Sequence, residues 1–387
     1  MDFNKEISFR RKPKGENAAP AGKPKAKREL GFGRKSSGSA RIVGLKIGGS
    51  QIAAATVVNN GAAELVQVAR QPLAQGVVVG GELRDPEALT DALGTFFRRH
   101  SLPRRGVRLG IASNRIGVRT FDLPRVDDPA QLTNAIRFRA QEVLPIPLAE
   151  AVLDYQILAE NVGGDGRRRV LLVVAYRELV DRYVAACRKA GIELAGIDLE
   201  PFALLRALTP EGTEGRQDAA LVVVSIGHHR STFAVSDGTV CQFTRVLDWG
   251  GFTLDVAIAR ALDMSPSEAQ PVKLALSLEE DDAPADVAPE QRALVRDAVR
   301  RELQSFAREL VSSLHFYQSQ PGSLGIAQIV LAGGTAQLPG LTGELERLTG
   351  VPAALGDPLA HVVVGKRVKD VEGLGSLAAA IGLGIER

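Results

Sequence analysis

Two stretches of this sequence decide its fold: IVGLKIGGSQIAAATVVNNG at residues 42–61 and LVVVSIGHHRSTFAVSDG at residues 221–238. Each is an apolar, β-branched run that stops at a glycine turn, resumes as a second apolar run and ends in Asn-Gly or Asp-Gly, a strong hairpin signal. Aligning Ile47 with Ile226 gives a spacing of 179 residues, and the second turns keep nearly the same spacing, 177. Because the register persists through two turns, the sequence predicts a duplicated fold.

Helical signals fill the chain between and after these strands. Proline follows a capping Asp or Ser at Asp85, Asp128 and Ser265, and apolar residues then recur with helical spacing. A long amphipathic pattern covers residues 289–320. Alternation of such helices with buried strands predicts an α/β protein.

Three strands run into turns that contain glycine, which is where α/β folds bind phosphate. The turns are Gly48-Gly49-Ser50, Gly227-His228-His229 and, after a strand at residues 326–332, Gly333-Gly334-Thr335. One such turn alone is more often structural, because glycine serves any backbone that needs a positive φ. Two hairpins of a duplicated fold can clasp a phosphate chain from both sides, so together the turns predict a nucleotide site.

The charge of the chain is unevenly distributed. Residues 1–40 hold 11 of the 48 Lys+Arg and 4 of the 45 Asp+Glu, which leaves 37 and 41 for residues 41–387. The first segment has too little apolar surface to offset the entropy of ordering it, so we expect a disordered basic arm. A solvated leader is favoured over a dedicated nucleic-acid arm, because such segments bind any polyanion weakly. No specific nucleic-acid partner is expected.

Several classes of protein are excluded by composition. Cys187 and Cys241 are too few for a disulfide framework or a cysteine metal cluster, and each stands in an apolar pattern. The sequence has no apolar run of about 18 residues, and its charged first segment lacks the apolar core of a signal peptide. We therefore expect a cytoplasmic protein.

Several longer stretches resemble one family. They are VGGELRDPEAL at residues 79–89, AIRFRAQE at 135–142, LPIPL at 144–148, DLEPFAL at 198–204, SLHFYQSQ at 313–320 and LAGG at 331–334. Over residues 41–387 the chain resembles the PilM family of type IV pilus assembly proteins, which is similar to FtsA and belongs to the actin, sugar kinase and heat-shock chaperone superfamily. The resemblance implies an α/β, duplicated actin-like (ribonuclease-H-like) fold with an inserted 1C-type subdomain.

The resemblance also implies a division into subdomains around a nucleotide cleft, and the predicted duplication agrees with it. In chain order the expected parts are the disordered basic arm (1–40), the first part of subdomain 1A (41–115), the inserted subdomain 1C (116–195), a connecting helix and loop (196–218), the first part of subdomain 2A (219–251), subdomain 2B (252–314), and the remainder of 2A with the C-terminal helix (315–387).

ATP or ADP is the cofactor that the resemblance implies. The expected nucleotide-binding residues are Lys46, Gly48, Gly49, Ser50, Gln51, Glu200, Ser225, Gly227, His228, His229, Gly250, Gly251, Glu268, Lys273, Gly333, Gly334 and Thr335. Glu200, Glu268 and Lys273 follow from their positions in the family alone. Glu268 is explained equally well as the glutamate of a capping box that begins at Ser265.

Two residues of this set depart from the family pattern. Where the family has an aspartate before each Ile-Gly, this chain has Lys46 and Ser225. In the superfamily those carboxylates orient the hydration shell of Mg²⁺ and the attacking water. Two unit charges about 4 Å apart interact with an energy of roughly 4 kcal/mol at an effective dielectric constant of 20. Exchanging Asp for Lys at residue 46 changes the local charge by two units, which is enough to reverse the affinity for a metal ion. The departure therefore argues against Mg²⁺ and against any catalytic residue, and predicts a degenerate ATPase with weakened or lost hydrolysis rather than an enzyme.

The pair His228-His229 raises the question of a separate metal site. Adjacent residues on a strand point to opposite faces, and no further ligands lie near in sequence. We therefore expect no metal here, and favour a bulky, basic loop, completed by Arg230, that fills or reshapes the phosphate site.

A partner is also implied by the resemblance. The family holds the cytoplasmic N-terminal peptide of the inner-membrane protein PilN between subdomains 1A and 1C, and the matching residues are Arg137, Phe138, Leu144 and Ile146. Phe138 and Ile146 are explained equally well by packing within 1C. A pilus assembly ATPase is a further candidate partner. Membrane contact is expected through the partner or the basic arm, which places the protein in the cytoplasm, peripheral at the inner face of the cell membrane.

Two other functions stay open beside this actin-like pilus scaffold. An active ATP-binding enzyme of the sugar-kinase branch needs a carboxylate base, for which Asp248 and Asp255, beside Trp249-Gly250-Gly251, are candidates. A cell-division scaffold similar to FtsA needs a basic membrane-binding helix, and the apolar segment at residues 375–383 lacks a basic face.

Overall fold

The structure of this protein is a computed structural model. The predicted disorder of residues 1–40 falls almost wholly outside its described residues, and so do Leu144 and Ile146. The described residues are 40–386, except 144–146, 163, 165, 210–218, 239, 280–288, 321, 367 and 369–372.

Strands and helices alternate along the described chain. The strands are β1 (Ala40–Ile47), β2 (Gln51–Asn60), β3 (Ala62–Pro72), β4 (Val78–Val79), β5 (Glu82–Leu83), β6 (Val107–Ile111), β7 (Ile116–Leu123), β8 (Ala151–Val162), β9 (Arg167–Tyr176), β10 (Leu194–Leu199), β11 (Ala219–Ile226), β12 (Ser231–Ser236), β13 (Cys241–Leu247), β14 (Gly325–Ala332), β15 (Ala353–Leu355) and β16 (Val363–Val364). The helices are α1 (Pro86–Arg99), α2 (Pro129–Val143), α3 (Arg177–Lys189), α4 (Glu200–Leu208), α5 (Gly251–Leu262), α6 (Pro266–Leu274), α7 (Pro289–Gln318), α8 (Leu341–Thr349) and α9 (Ala378–Gly384).

Two large sheets repeat one topology. The first sheet contains the order β10-β6-β1-β2-β3, extended by β16, and the second has the order β13-β12-β11-β14-β15. In each, three antiparallel strands are followed by two strands parallel to the first. Ile47 pairs with Ile52 and Ile226 pairs with Ser231, so both partners are displaced by the predicted 179 residues. The predicted duplication is confirmed.

Each large sheet is covered by helices on both faces because its strands are apolar on both faces. In β11, Val222 and Val224 pack towards α5 and α7, whereas Leu221 and Val223 pack towards α4. The first sheet has α1 and α3 on one face and α9 on the other. Helices α4 and α9 therefore lie between the two sheets.

Small residues let α9 approach its neighbours at backbone distance. A Cβ on Gly382 would lie 1.8 Å from the carbonyl oxygen of Ala203 in α4, and a Cβ on Gly44 in β1 would lie 2.0 Å from that of Ala380. The last carbonyls of α9, which have no partner within the helix, accept hydrogen bonds from side chains of both halves. Arg108 donates to Leu383 at 2.9 Å, and Arg206 donates to Gly382 at 3.0 Å.

A third, smaller sheet has the order β7-β9-β8. Alternate residues of β9 separate its two faces: Leu171 and Val173 join the core of the first large sheet, whereas Leu172 and Val174 pack with α2. This insertion therefore stands beside the first sheet with α2 on its far face. Among the described residues, no helix combines the length and the apolar character that crossing a bilayer requires.

Gly382→Ala tests the close approach of α4 and α9. The new methyl group would meet backbone rather than a movable side chain, so we expect the free energy of unfolding to fall by about 2–3 kcal/mol in urea titrations. Gly94→Ala in α1 is the matched control, because a Cβ there meets nothing within 4 Å and alanine favours a helix by about 0.5–1 kcal/mol. Equal effects of the two substitutions would contradict this account of the interface.

Candidate functional site

The three glycine-containing turns predicted from the sequence come together at the carboxyl ends of the central strands. The first two are closed by the same hydrogen bond: Gly48 N–H donates to the Gln51 carbonyl and Gly227 N–H to the Arg230 carbonyl, each at 2.9 Å. The hydroxyl of Thr335 donates to the Gly227 carbonyl at 3.3 Å, which attaches the third turn to the second. The arrangement is a cleft between two equivalent hairpins.

Two glycines of the third turn differ in what constrains them. Gly333 has a φ of +91°, and a Cβ there would lie 2.2 Å from the Ile226 carbonyl oxygen, so this position requires glycine for structural reasons. A Cβ on Gly334 meets nothing within 4 Å. A Cβ on Gly251 would lie 2.4 Å from the Thr335 hydroxyl oxygen, which leaves little space between the third turn and α5.

The first N–H groups of α5 are already used. Gly251 N–H donates to the Gly227 carbonyl at 2.9 Å, and Phe252 N–H donates to the His228 carbonyl at 2.8 Å. A Cβ on Gly250 would lie 2.5 Å from that same His228 oxygen. Helix N-termini bind phosphate through free N–H groups, so carbonyl capping here removes two of the usual donors.

Lys46 and Glu200 form an ion pair within the cleft. Their Nζ and Oε2 atoms are 3.2 Å apart, and their side chains are 18% and 8% exposed. Lys46 precedes the first turn, and Glu200 begins α4, where the resemblance implies a nucleotide-binding residue. Ser225, at the second aspartate position, is buried and uncharged. The two aspartates of the family pattern are thus replaced by an internally neutralised pair and a hydroxyl group.

The two histidines lie side by side, which corrects the expectation that they point to opposite faces. They stand in the turn rather than on the strand, and the ring centroids of His228 and His229 are 4.4 Å apart, each 5.3 Å from the ring of Phe252. Burial and the neighbouring charges of His229 and Lys273 lower the pKa of His228 to about 4, and burial with Arg230 lowers that of His229. Both shifts in pKa favour the neutral form of the ring. No group of three or more metal-ligand residues occurs in the described chain.

His229 crosses the cleft and fills the space above the first turn. Its Nδ1 atom lies 2.3 Å from where a Cβ of Gly49 would stand, and the carbonyl of Val78 is 3.3 Å from the same point. The imidazole thus occupies the space beside Gly49 that a phosphate group would need.

Arg230 crosses the cleft next to it. Its guanidinium group lies 3.0–3.1 Å from the Cβ position of Gly80, between β4 and β5, and its Nε is 2.7 Å from Asp248 Oδ1. The other oxygen of Asp248 accepts a hydrogen bond from Asn114 at 2.9 Å. Both Gly80 and Asn114 belong to the first half of the chain. The second hairpin is therefore connected to the first half through side chains that sequence analysis did not connect.

Lys273 and Glu268, which were also expected to bind nucleotide, contact other residues of the protein instead. Lys273 Nζ is 2.7 Å from Asp255 Oδ1 and donates to the Gly251 carbonyl at 3.0 Å. Burial raises the pKa of Asp255, and Lys273 opposes that shift. The Glu268 carboxylate accepts hydrogen bonds from the Ser265 hydroxyl at 2.7 Å and from Ser265 N–H at 2.9 Å in a complete capping box, and these bonds hold its pKa below the usual range. Glu268 therefore acts as a helix cap in this structure.

These contacts test whether the cleft fits Mg-ATP, the group that the fold family implies. A hydrated Mg²⁺ ion needs fixed carboxylates. The three carboxylates described near the turns, Glu200, Asp248 and Asp255, are each paired with an Arg or Lys side chain. A phosphate chain needs free N–H groups and open space. Carbonyl groups occupy the first two N–H groups of α5, and His229 fills the space beside Gly49. The residues present do not fit a metal-bound triphosphate.

A cavity of about 940 Å³ opens where the small sheet meets the second half, and Asn114 and Asp248 are among its lining residues. Its walls include the edge strands β7 and β13, the loop at residues 112–115 and part of α7. Among the described residues, β7 pairs with β9 alone and β13 with β12 alone, so each presents an unpaired edge. The volume is within the range of roughly 300–1,000 Å³ usual for ligand sites.

The expected partner-binding residues lie elsewhere. Arg137 and Phe138 are exposed on α2, and Phe138 is 66% exposed. Neither lines the cavity, because α2 covers the far face of the small sheet. Leu144 and Ile146 are outside the described residues.

Solved structures resemble this fold over most of its length. The structure described as a PilM-PilN type IV pilus biogenesis complex is 25% identical, covers 89% of this chain and 97% of its own, and superposes with a TM-score of 0.75. EutJ, an ethanolamine utilization protein from Carboxydothermus hydrogenoformans, is 16% identical with a TM-score of 0.53 and 90% coverage of both chains. MreB5 of Spiroplasma citri bound to AMPPNP is 14% identical with a TM-score of 0.51, covering 89% and 94%. The expected actin-like fold is confirmed.

Sequence comparisons agree on the relationship. Cell division protein FtsA of Escherichia coli K12 is 26% identical over 257 residues, and the chain spans 60% of the length of this curated relative, with 60% of its own length aligned. The family described as type IV pilus assembly protein PilM matches residues 44–387. The chain belongs to the PilM family of type IV pilus assembly proteins.

Proposed function

We propose that this protein is a cytoplasmic scaffold of type IV pilus assembly, peripheral at the inner face of the membrane, that binds the N-terminal peptide of a PilN-like inner-membrane protein and has lost Mg-ATP hydrolysis. The peptide-binding part of this proposal rests on the cavity between β7 and β13. A neighbour of the same fold that is described as a PilM-PilN complex supports the choice of partner.

An extended peptide matches the shape of this cavity. Unpaired strand edges bind such peptides through main-chain hydrogen bonds, and pockets beside them select side chains. Phe243 and Phe316 supply an apolar wall, with ring centroids 5.4 Å apart and Phe316 56% exposed. Arg119 and Glu309 also line the cavity and add charges of both signs. The peptide would lie between the insertion and the second half of the molecule, whereas the family resemblance implies a site between subdomains 1A and 1C.

Loss of hydrolysis follows from charge pairing in the cleft. Lys46 pairs with Glu200, Lys273 with Asp255, and Arg230 with Asp248. Neither carboxylate considered for an active enzyme serves as a base, since Asp248 binds Arg230 and Asn114, and Asp255 is buried against Lys273. The proposed scaffold therefore needs no turnover of nucleotide.

Gly117→Leu tests the cavity. Gly117 lies in β7 on the cavity wall, and a Cβ there meets nothing within 4 Å, so the larger side chain fills the cavity without strain on the fold. We expect affinity for a synthetic PilN N-terminal peptide to fall at least tenfold by fluorescence anisotropy, since about 1.4 kcal/mol of lost contact is enough. Gly196→Leu in β10 is the matched control, because it has similar open space outside the cavity.

A paired variant separates the cavity from the surface of α2. Arg137→Ala with Phe138→Ala removes the two described residues expected from the family resemblance, both exposed on α2. We expect the affinity for the peptide to stay within about threefold of that of the unaltered protein. This change is smaller than the tenfold loss, about 1.4 kcal/mol, that is expected for Gly117→Leu. Loss of binding here, with Gly117→Leu unaffected, would move the peptide site to α2.

Glu200→Gln tests the cleft. Removing the carboxylate releases the charge of Lys46 beside the first turn, so we expect affinity for ADP to rise about tenfold in calorimetric titration, equally with and without Mg²⁺. The double variant Lys46→Met/Glu200→Gln lacks both charges and is expected to lose this gain. A loss of Mg²⁺-dependent affinity in Glu200→Gln, or ATP turnover of about 1 s⁻¹ or faster in the unaltered protein, would contradict a degenerate cleft.

A further inference from the structure

One side chain belongs to both the cleft and the cavity. Asp248 lines the cavity, and its Oδ1 atom is 2.7 Å from Nε of Arg230, which crosses the cleft. Its Oδ2 atom accepts a hydrogen bond from Asn114 at 2.9 Å. Asn114 also lines the cavity, whereas Arg230 does not. We call these three residues the clasp, because together they connect the second half of the chain to the first.

Asp248 is fixed to the second half. It directly follows β13, and the next residue, Trp249, is buried. The ring of Trp249 stacks on Phe306 of α7, with centroids 4.1 Å apart and an angle of 13° between the rings. Its carbonyl accepts a hydrogen bond from the Ser231 hydroxyl at 2.8 Å. Because the backbone beside it is held in this way, Asp248 moves with the β13 wall of the cavity.

Asn114 is fixed to the opposite wall. It lies in the loop between β6 and β7, which connects the first large sheet to the insertion. Within this loop, the N–H of Ile116 donates to the Ser113 carbonyl at 3.1 Å, and the N–H of Arg115 donates to the Ser113 hydroxyl at 3.2 Å. The N–H of Tyr176, at the end of β9, donates to the Arg115 carbonyl at 3.2 Å. Asn114 therefore moves with the β7 wall.

Arg230 gives the clasp a second contact with the first half. Its guanidinium group lies 3.0–3.1 Å from the Cβ position of Gly80, and its Nη1 atom lies 3.3 Å from that of Gly81. The carbonyl of Gly81 accepts a hydrogen bond from the Tyr183 hydroxyl at 3.3 Å, which attaches this turn to α3. The Arg230 side chain is 22% exposed and the Asp248 side chain 66%. Arg230 therefore holds the exposed Asp248 from the inner side of the cleft.

We propose that the clasp holds the two halves together on this side of the cleft and sets the distance between β7 and β13, so that peptide affinity in the cavity depends on Arg230. Arg230 is a positioning residue, because it acts through Asp248. A site that is already arranged for its ligand binds it at a lower cost. The halves are also joined where α4 meets α9, so release of the clasp would separate them on this side only.

Linkage makes this effect reciprocal: a peptide that binds better when the clasp is intact must favour closure by the same factor. The dependence of affinity on the clasp rests on the proposed peptide function. The effect of the clasp on the distance between the halves does not.

Arg230→Met tests the coupling. Because Asp248 is 66% exposed, water can solvate its released carboxylate, and we expect the variant to fold. We expect the affinity of the full chain for a synthetic PilN N-terminal peptide to fall at least fivefold by fluorescence anisotropy, the lower limit usual for coupled sites. Arg230→Lys keeps a positive charge that can pair with Asp248 and is expected to recover most of this loss.

Lys273→Met/Asp255→Asn is the matched control. It removes an ion pair of the same cleft with the same 2.7 Å distance, but both of its members belong to the second half and neither lines the cavity. Removing both partners together leaves no uncompensated charge. We expect this variant to bind the peptide as the unaltered protein does.

The distance between the halves is measured on the same variants by pulsed electron paramagnetic resonance. Nitroxide labels are attached at Asp91→Cys in α1 and Arg301→Cys in α7, both at exposed positions. Cys187 and Cys241 are buried, and burial raises the pKa of each thiol to about 12, so labelling is confined to the introduced cysteines. We expect Arg230→Met to give longer distances than the unaltered protein, and saturating peptide to restore the shorter ones.

Three results would overturn the proposal. The first is equal peptide affinity in Arg230→Met and the control variant. The second is a distance distribution of Arg230→Met that coincides with that of the unaltered protein before peptide is added. The third is a longer distribution that saturating peptide leaves unchanged. Failure of the proposed function gives a different result, namely no peptide binding by the unaltered protein; the distances without peptide then still show whether the clasp holds the halves together.

Discussion

The approach of α4 and α9 at backbone distance is the constraint on which the rest of the structure depends. Gly382 lies against the Ala203 carbonyl, and Arg108 of β6 and Arg206 of α4 donate hydrogen bonds to the last carbonyls of α9. The two halves are thereby joined at one side of the cleft by contacts within the chain. At the other side, His229 fills the space beside Gly49 and Arg230 reaches Gly80. Backbone packing and side-chain contacts therefore hold the halves together at both ends of the cleft.

This construction changes what the cleft can do. In an ATPase of this superfamily, charges that face each other across the cleft are completed by phosphate and metal. Here each such charge has an internal partner, and Lys46 with Glu200 is the clearest case. Removing one member of a largely buried pair is costly, because the other charge remains without compensation. The replacement of an aspartate by Lys46 is thus balanced within the protein itself.

The sequence predicts the duplicated sheets well, because strand and turn signals are local and repeat at one spacing. It also predicts the capping box at Ser265, whose residues lie three positions apart. It fails for His228 and His229, because a strand pattern continued into the turn assigns their rings to opposite faces. It cannot connect His229 with Gly49 or Arg230 with Gly80, since those contacts depend on how the two halves meet. The cavity is missed for the same reason: its walls come from β7 and β13, which are distant in sequence.

The position of the cavity constrains what a bound peptide would do to this scaffold. Asn114 and Asp248 line the cavity, and the same two residues connect the halves beside Arg230. A peptide in the cavity would therefore contact both halves. Because a ligand stabilises the arrangement to which it binds, the peptide would favour the same contact between the halves that these side chains already make.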